Sequence, residues 1–120
     1  MVKQIKNDLG TIFISKDVIA AITGISAMEC YGLVGMSSRN VKDGISELLG
    51  RDNLSKGIEV EIKGDKVLIS INIIVEYGIK VSEVAHNVID KVKFTLKEML
   101  DLENVDIHVN IQSIRVSNIK

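Results

Sequence analysis

The stretch "VLISINIIVEYGIKVSEVAHNVIDKV", residues 67–92, decides the fold of this chain, because its hydrophobic period changes at Tyr77-Gly78. Before this dipeptide apolar residues alternate, as in a strand, and after it they recur every three or four residues, as in an amphipathic helix. We expect a helix over 80–99 and a last strand in "NVDIHVNIQSI" (104–114). Two strands joined through a helix form a crossover unit, so they should run parallel.

The helix over 80–99 has a clear apolar face and a polar one. The residues expected to be buried are Val81, Val84, Ala85, Val88, Ile89, Val92, Leu96 and Met99. Upstream, "GIEVEIK" (57–63) also alternates, and "GDK" (64–66) forms a hairpin turn that leads into the strand over 67–77. The alternation predicts an α+β protein, a two-layer α/β sandwich whose mixed sheet is covered by helices on one face.

In the N-terminal half, the sequence predicts two short strands, "GTIFIS" (10–15) and "YGLVGMSS" (31–38). Between them it predicts a helix over 16–29, with Ser15 as its N-cap. The helical spacing of Val18, Ile22, Ile25 and Met28 predicts that these residues face the core. A second helix is expected over 40–50. Residues 1–9 should be loosely ordered, and 10–116 should form a single domain.

Composition excludes several classes of function. The 120 residues carry a formal net charge of −1, which disfavours a general nucleic-acid binder. The one cysteine, Cys30, permits no intrachain disulfide and fits a reducing cytoplasm. No apolar run approaches the ~18 residues of a membrane span, so direct membrane insertion is not expected.

Two glycine motifs resemble ligand-binding loops. A phosphate site after Tyr77-Gly78 would need further glycines or a well-placed lysine, so a structural role for both residues is the better interpretation. The run "GLVG" (Gly32 to Gly35) matches the G-x-x-G of an RNA-binding KH domain. It is apolar and lies in a strand, which makes RNA binding the less favoured alternative.

The outward side chains of the predicted sheet are polar and form a candidate interaction face. Its members are Glu59, Glu61, Asn72, Asp106, His108 and Asn110. A hydrolase that uses His108 with Glu59 or Glu61 is the enzymatic alternative, although a flat charged face offers no pocket that excludes water. His86 and Asp90 lie one helical turn apart, and a solvated pair is a better interpretation than a metal site. We expect no catalytic residue, cofactor or metal.

Taken together, "GTIFISKDVIAAITGISAMECYGLVGM", "KGIEVEIKGDKVLISINIIVEYGIKVSEVAHNVIDKV" and "VDIHVNIQSIRV" resemble the ordered signatures of the alkaline shock protein family of Gram-positive bacteria. The stretch "VKDGISELLGRDNLSKG" is similar to its small, single-domain YloU-like branch. The resemblance covers about residues 10–116. Gly32, Gly35, Tyr77 and Gly78 match its signature positions.

The resemblance implies a non-enzymatic cytoplasmic adaptor linked to alkaline or cell-envelope stress. It implies protein partners, membrane-anchored or kinase-like, as well as self-association, with recruitment to the membrane through a partner. The alternative that it implies is an accessory or regulatory partner of a dihydroxyacetone-kinase-like fatty-acid kinase. The family carries no defined catalytic residues, so none is expected here.

Overall fold

The computed structural model of this chain describes residues 2–30, 32–36 and 57–116. In chain order the elements are β1 (Val2–Asn7), β2 (Gly10–Ser15), α1 (Lys16–Ala27), β3 (Leu33–Met36), β4 (Ile58–Lys63), β5 (Lys66–Glu76), α2 (Val81–Leu100) and β6 (Val105–Arg115). They confirm the predicted α+β class with two layers and a mixed sheet. The helix expected over 40–50 lies outside the described residues, as do positions 31, 37 and 38 of the strand expected over 31–38.

Strand β5 is the centre of the main sheet. One of its edges pairs antiparallel with β4 and, further along, with β3. Its other edge pairs with β6 in parallel, from Val67 opposite Val105 to Glu76 opposite Arg115. The crossover through α2 is therefore confirmed. An extra residue in β6 shifts this register between Ile111 and Ser113.

The core lies between the sheet and the two helices. The alternating face of β5 is fully buried, and its members are Val67, Ile69, Ile71, Ile73 and Val75. Helix α2 places Val84, Val88, Val92 and Leu96 against this face, as its spacing predicts. The expectation for Met99 is wrong, since this side chain is 65% exposed. The chain reverses at Asp101, which has a left-handed conformation, and Leu102 is buried at this end of the core instead.

Helix α1 contradicts the predicted orientation. Ser15 caps it as expected, with its Oγ accepting a hydrogen bond from the Val18 N–H at 3.2 Å. The buried side of the helix, however, consists mostly of small residues; its members are Ile19, Ala20, Thr23, Gly24, Ser26 and Ala27. Val18 and Ile25 are 43% and 58% exposed. The apolar residues lie all round this helix, so hydrophobic spacing does not identify the side that packs closely.

The N-terminal residues are more ordered than expected. Strand β1 pairs antiparallel with β2 from Val2 opposite Ser15 to Asn7 opposite Gly10, and the two strands form a separate ribbon. Ile14 is buried in the core, and the half-buried Ile5 packs against it. Residues 2–7 have regular structure because a neighbouring strand and the core hold them, which their mixed composition does not reveal.

Candidate interaction face

The sheet face opposite the helices collects the residues that the sequence singles out. In the register of β4, β5 and β6, one row across the sheet contains Glu61, Leu68 and Asp106, and the next contains Glu59, Ser70 and His108. Asn72 lies beside Asn110 in the next row. We call these three rows the polar face.

The three amide side chains at one end of the polar face form a network. The Oδ1 atom of Asn72 accepts hydrogen bonds from Asn110 Nδ2 at 3.2 Å and from Gln112 Nε2 at 3.0 Å. Its Nδ2 atom donates to the Gly57 carbonyl at 3.1 Å. Asn72 is only 5% exposed. It therefore holds the start of β4 against β6 and offers little surface to a ligand.

The other end of the polar face is charged and exposed. Asp106 lies 3.8 Å from Lys66 Nζ and 3.8 Å from His108 Nε2. The side chains of Glu61 and His108 are each 66% exposed. At the β4 edge, Glu59 and Glu61 line a solvent-open depression of about 360 Å³ together with Lys16. This end can form salt bridges and hydrogen bonds with a partner surface.

The hydrolase alternative finds no support in this arrangement. Strand β5 separates Glu59 and Glu61 on β4 from His108 on β6. Because neighbouring strands lie about 4.8 Å apart, the backbones of these glutamates and of His108 are roughly 9–10 Å apart. A general base must lie within hydrogen-bond reach of the group it serves. Among the described residues, no three His, Cys, Asp or Glu side chains are grouped so that they could hold a metal ion.

Two further polar groups lie apart from the polar face. His86 Nε2 lies 3.3 Å from Asp90 Oδ2 on the exposed side of α2, and both side chains are more than half exposed. Cys30 donates a weak hydrogen bond to the Asn87 carbonyl at 3.7 Å, and burial raises the pKa of its thiol. A raised pKa makes the nucleophilic thiolate scarcer at neutral pH.

The signature glycines have distinct structural roles. Gly32 has φ +88°, and a Cβ there would lie 2.9 Å from side-chain atoms of both Ile79 and Val84. Gly78 has φ +95° with open space around it, so only its backbone conformation requires glycine. Tyr77 is 70% exposed.

The G-x-x-G run is part of the sheet. Leu33–Met36 forms β3, and the buried Gly35 lies opposite Ile74 of β5. A KH domain instead presents this run as a loop that clamps nucleotides. The backbone groups of a paired strand are engaged by the neighbouring strand and are less available to nucleotides.

Sequence reasoning missed Lys66, Ser70 and Gln112 as neighbours of the polar face. The alternation over 67–77 contained the signal for Ser70, since it shares a face with Asn72. Lys66 sits in the predicted turn. Gln112 reaches Asn72 because it occupies the register shift of β6, which alternation alone does not indicate.

A family model covers residues 4–116, nearly the whole chain. This chain belongs to the alkaline shock protein 23 family. The family is described as having a cell envelope-related function. The chain is 43% identical over 116 residues to the uncharacterized protein YloU of Bacillus subtilis, covering 96% of this chain and 97% of that protein.

More distant similarities extend beyond this branch. A stress response regulator gls24 homolog of Streptococcus pyogenes is 25% identical over 109 residues, which cover 88% of this chain and 59% of that protein. Among solved structures, the copper form of the MamM CTD superposes with a TM-score of 0.51 at 11% identity. The superposition covers 88% of this chain and 92% of that one, and at this identity it concerns the fold alone.

Neither helix of the described residues is both long enough and apolar enough to cross a bilayer.

Proposed function

We propose that this protein is a non-enzymatic cytoplasmic adaptor that binds a partner protein through its polar face in the response to cell-envelope stress. The observation that carries the proposal is the polar face itself, where exposed ionisable side chains project from three adjacent strands. Such a surface needs no catalytic geometry, and its charges can give specificity and faster association with a partner of complementary charge. The envelope-related description of the family and the stress-regulator name of a relative support the cellular context.

The charges of the polar face indicate the chemistry of the partner. Glu59, Glu61 and Asp106 are carboxylates; Lys63 lies 3.9 Å from Glu61 and Lys66 lies 3.8 Å from Asp106, while the Glu59 and Glu61 side chains remain exposed at the β4 side. Complementary charge across an interface speeds association and excludes wrong partners. We therefore expect the partner to present lysine or arginine side chains to the β4 side of this face.

A direct binding experiment tests the polar face. The partner is first identified by pull-down from a lysate of Bacillus subtilis, the source of the similar protein YloU, and its binding to the full chain is then measured with both proteins purified. The double variant Glu59→Lys/Glu61→Lys should lose at least about tenfold in affinity, because it reverses two charges at the interface. Glu83→Lys/Glu98→Lys is the matched control, since it makes the same charge change on exposed positions of α2.

A kinase-like partner is the more specific form of this proposal, and the family resemblance supports it. The purified dihydroxyacetone-kinase-like protein of the same bacterium would be titrated with this chain by calorimetry. Binding together with a changed rate of fatty-acid phosphorylation would support a regulatory role. Recruitment to the membrane is tested separately, by imaging a fluorescent fusion in cells with and without the identified partner.

The outcomes separate the parts of the proposal. If no purified protein binds this chain with a defined stoichiometry, the adaptor role is wrong. If a partner binds both double variants equally well, the adaptor role stands but another surface is responsible. If the titration with the kinase-like protein shows no binding, only that candidate partner is excluded.

A further inference from the structure

In the described part of the chain, the second edge of β6 is an open strand edge. β5 occupies one edge of β6 along its length, and no other strand of the described residues pairs with β6. Its segment "VDIHVNI", residues 105–111, contains no proline, no lysine and no register shift, which are among the features that proteins place on an edge to prevent pairing. At 11 residues β6 is also long for an edge strand. Such an edge favours pairing with another strand.

Backbone geometry shows which groups are available on that edge. The Asn104 carbonyl accepts a hydrogen bond from the Val67 N–H at 3.0 Å, so Asn104 directs its carbonyl toward β5. Backbone directions alternate along a parallel strand, and therefore Val105, Ile107, Val109 and Ile111 direct their N–H and C=O groups away from β5. The register shift after Ile111 ends this regular series.

We propose that β6 pairs antiparallel with β6 of a second copy of this chain, with His108 on the twofold axis. The regular edge runs from Val105 to Ile111, and His108 is its midpoint. An antiparallel pairing centred there is the one that uses every outward backbone group of this segment. It creates roughly eight N–H···O=C bonds, two for each hydrogen-bonded pair.

The side chains of this segment are self-complementary in the proposed register. Val105 faces Ile111 of the second copy, and Ile107 faces Val109, on the side of the sheet that the helices cover. Val105, Val109 and Ile111 are only half-buried in the single chain, so the second copy would complete their burial. On the polar face, Asp106 faces the Asn110 amide, which can donate to its carboxylate.

The polar faces of the two copies would then form one continuous surface. The pairing does not depend on which protein the polar face binds. The inference therefore goes beyond the adaptor role, and its test uses the purified chain alone.

Light scattering during size-exclusion chromatography tests the dimer. We expect a concentration-dependent mass that approaches twice 13.2 kDa. His108→Glu should weaken association roughly tenfold, because two carboxylates would then lie directly opposite each other. His86→Glu is the control, since its side chain is 75% exposed on α2, away from the β6 edge. Thermal unfolding of both variants verifies that the fold is intact.

Cysteine cross-linking tests the register. In a Cys30→Ser background, His108→Cys should form an intermolecular disulfide on mild oxidation. Residues opposite each other in a non-hydrogen-bonded pair have Cα atoms about 4.5 Å apart, within the range that a disulfide needs. Asn110→Cys alone should not cross-link, because the two Asn110 positions of the dimer lie on opposite sides of the twofold axis. It should cross-link when mixed with Asp106→Cys, because Asn110 of one copy faces Asp106 of the other.

Each result decides the inference. A chain that stays monomeric at about 100 µM would overturn the dimer, since a dissociation constant well above this value is too weak for a specific pairing. A dimer in which His108→Glu behaves like His86→Glu would place the interface elsewhere. Equal cross-linking of His108→Cys and Asn110→Cys would contradict the register. None of these outcomes depends on finding an adaptor partner.

Discussion

Helices α1 and α2 lie on the same face of the sheet but contribute to the core in different ways. Helix α2 inserts large aliphatic side chains such as Val88 and Leu96, which are fully buried, and its opposite side is charged. Helix α1 buries Ile19 and a series of small residues, and its opposite side still carries Ile25. The difference shows that α2 is held by side-chain volume and α1 largely by close approach of its backbone.

The two helices also contact each other directly. Glu29, just after α1, forms an ion pair with Lys91 of α2 at 3.0 Å. The weak hydrogen bond from Cys30 to the Asn87 carbonyl lies next to it. Small residues along α1 allow this approach, because helices with small contact residues pack at shorter axial distances. Substitutions that add volume should therefore harm α1, and substitutions that remove volume should harm α2.

The largest effect is expected from removing volume in α2. Leu96→Ala should lower the free energy of unfolding by roughly 2–5 kcal/mol, since Leu96 is fully buried and its loss leaves a cavity. Phe94→Ala is the control on the same helix. Because Phe94 is 64% exposed, its truncation should cost less than about 1 kcal/mol. Urea unfolding measures both, and equal losses would contradict the assigned core face of α2.

The next largest effect is expected at Gly32, which follows α1 and lies against Val84 of α2. Gly32→Ala should cost roughly 2–4 kcal/mol, because its Cβ would crowd Ile79 and Val84 and its φ is positive. Gly78→Ala meets open space and carries only the positive φ, so about 1–2 kcal/mol is expected. Thermal and urea unfolding should rank the two variants in this order. The reverse ranking would contradict the close contact at Gly32.

Two adjacent alanines test the closely packed side of α1. Ala20 is buried and Ala21 is exposed, so Ala20→Leu should lose about 1–3 kcal/mol by overpacking, whereas Ala21→Leu should be nearly neutral. The intrinsic helix propensity changes equally in both variants and cancels in the comparison. Urea unfolding provides the values. A larger loss for Ala21→Leu would favour the orientation that hydrophobic spacing predicts.

Much of the fold follows from sequence where one side of an element is polar. The period change at Tyr77-Gly78 identifies both the parallel crossover and the core face of α2, because Glu83, His86 and Asp90 mark its solvent side. Helix α1 has no such contrast. Its packing depends on which residues are small enough for close approach, and that depends on the neighbouring helix. Pairing of β1 with β2 is likewise a tertiary effect.

The sequence predicts most residues of the polar face but not the contacts between them. Alternation places Glu59, Asp106 and His108 on one side of the sheet, and the strand order places Asp106 and His108 on β6, separated from Glu59 by β5. The near-complete burial of Asn72 depends on Gln112 and on the chain at Gly57, which are distant in sequence. A period of two indicates a face, whereas burial within that face depends on register shifts and on neighbouring segments.

A smaller effect, a gain in stability, is expected when the buried threonine of α1 is replaced by valine. Thr23 of α1 is fully buried, and its hydroxyl has no hydrogen-bond partner in the described part of the chain. Thr23→Val should therefore stabilise the protein by about 1 kcal/mol, since an unpaired buried hydroxyl is costly. Thr95 of α2 donates to the Lys91 carbonyl at 2.9 Å, so Thr95→Val should give no such gain. Unfolding curves for both variants would reveal the sign, and destabilisation by Thr23→Val would indicate that its hydroxyl is in fact satisfied.

The smallest effect is expected at Cys30, where α1 ends beside α2. Burial raises the pKa of this thiol above its usual value of 9.0; Lys91 opposes the shift, and Glu29 adds to it. As the pH rises through this value, the unfolded chain releases the thiol proton before the folded chain does. The folded state then binds more protons than the unfolded state. The contribution of Cys30 to stability is therefore complete below about pH 9 and is lost as the pH rises through the folded-state pKa.

Comparing urea unfolding of the wild type and Cys30→Ala at pH 7.5 and 9.5 isolates this contribution, because all other titrating groups are shared. We expect the wild type to lose slightly more stability than Cys30→Ala, together with slow alkylation of the native thiol at pH 8. Equal losses and rapid alkylation would show that the contact between α1 and α2 leaves Cys30 open to water.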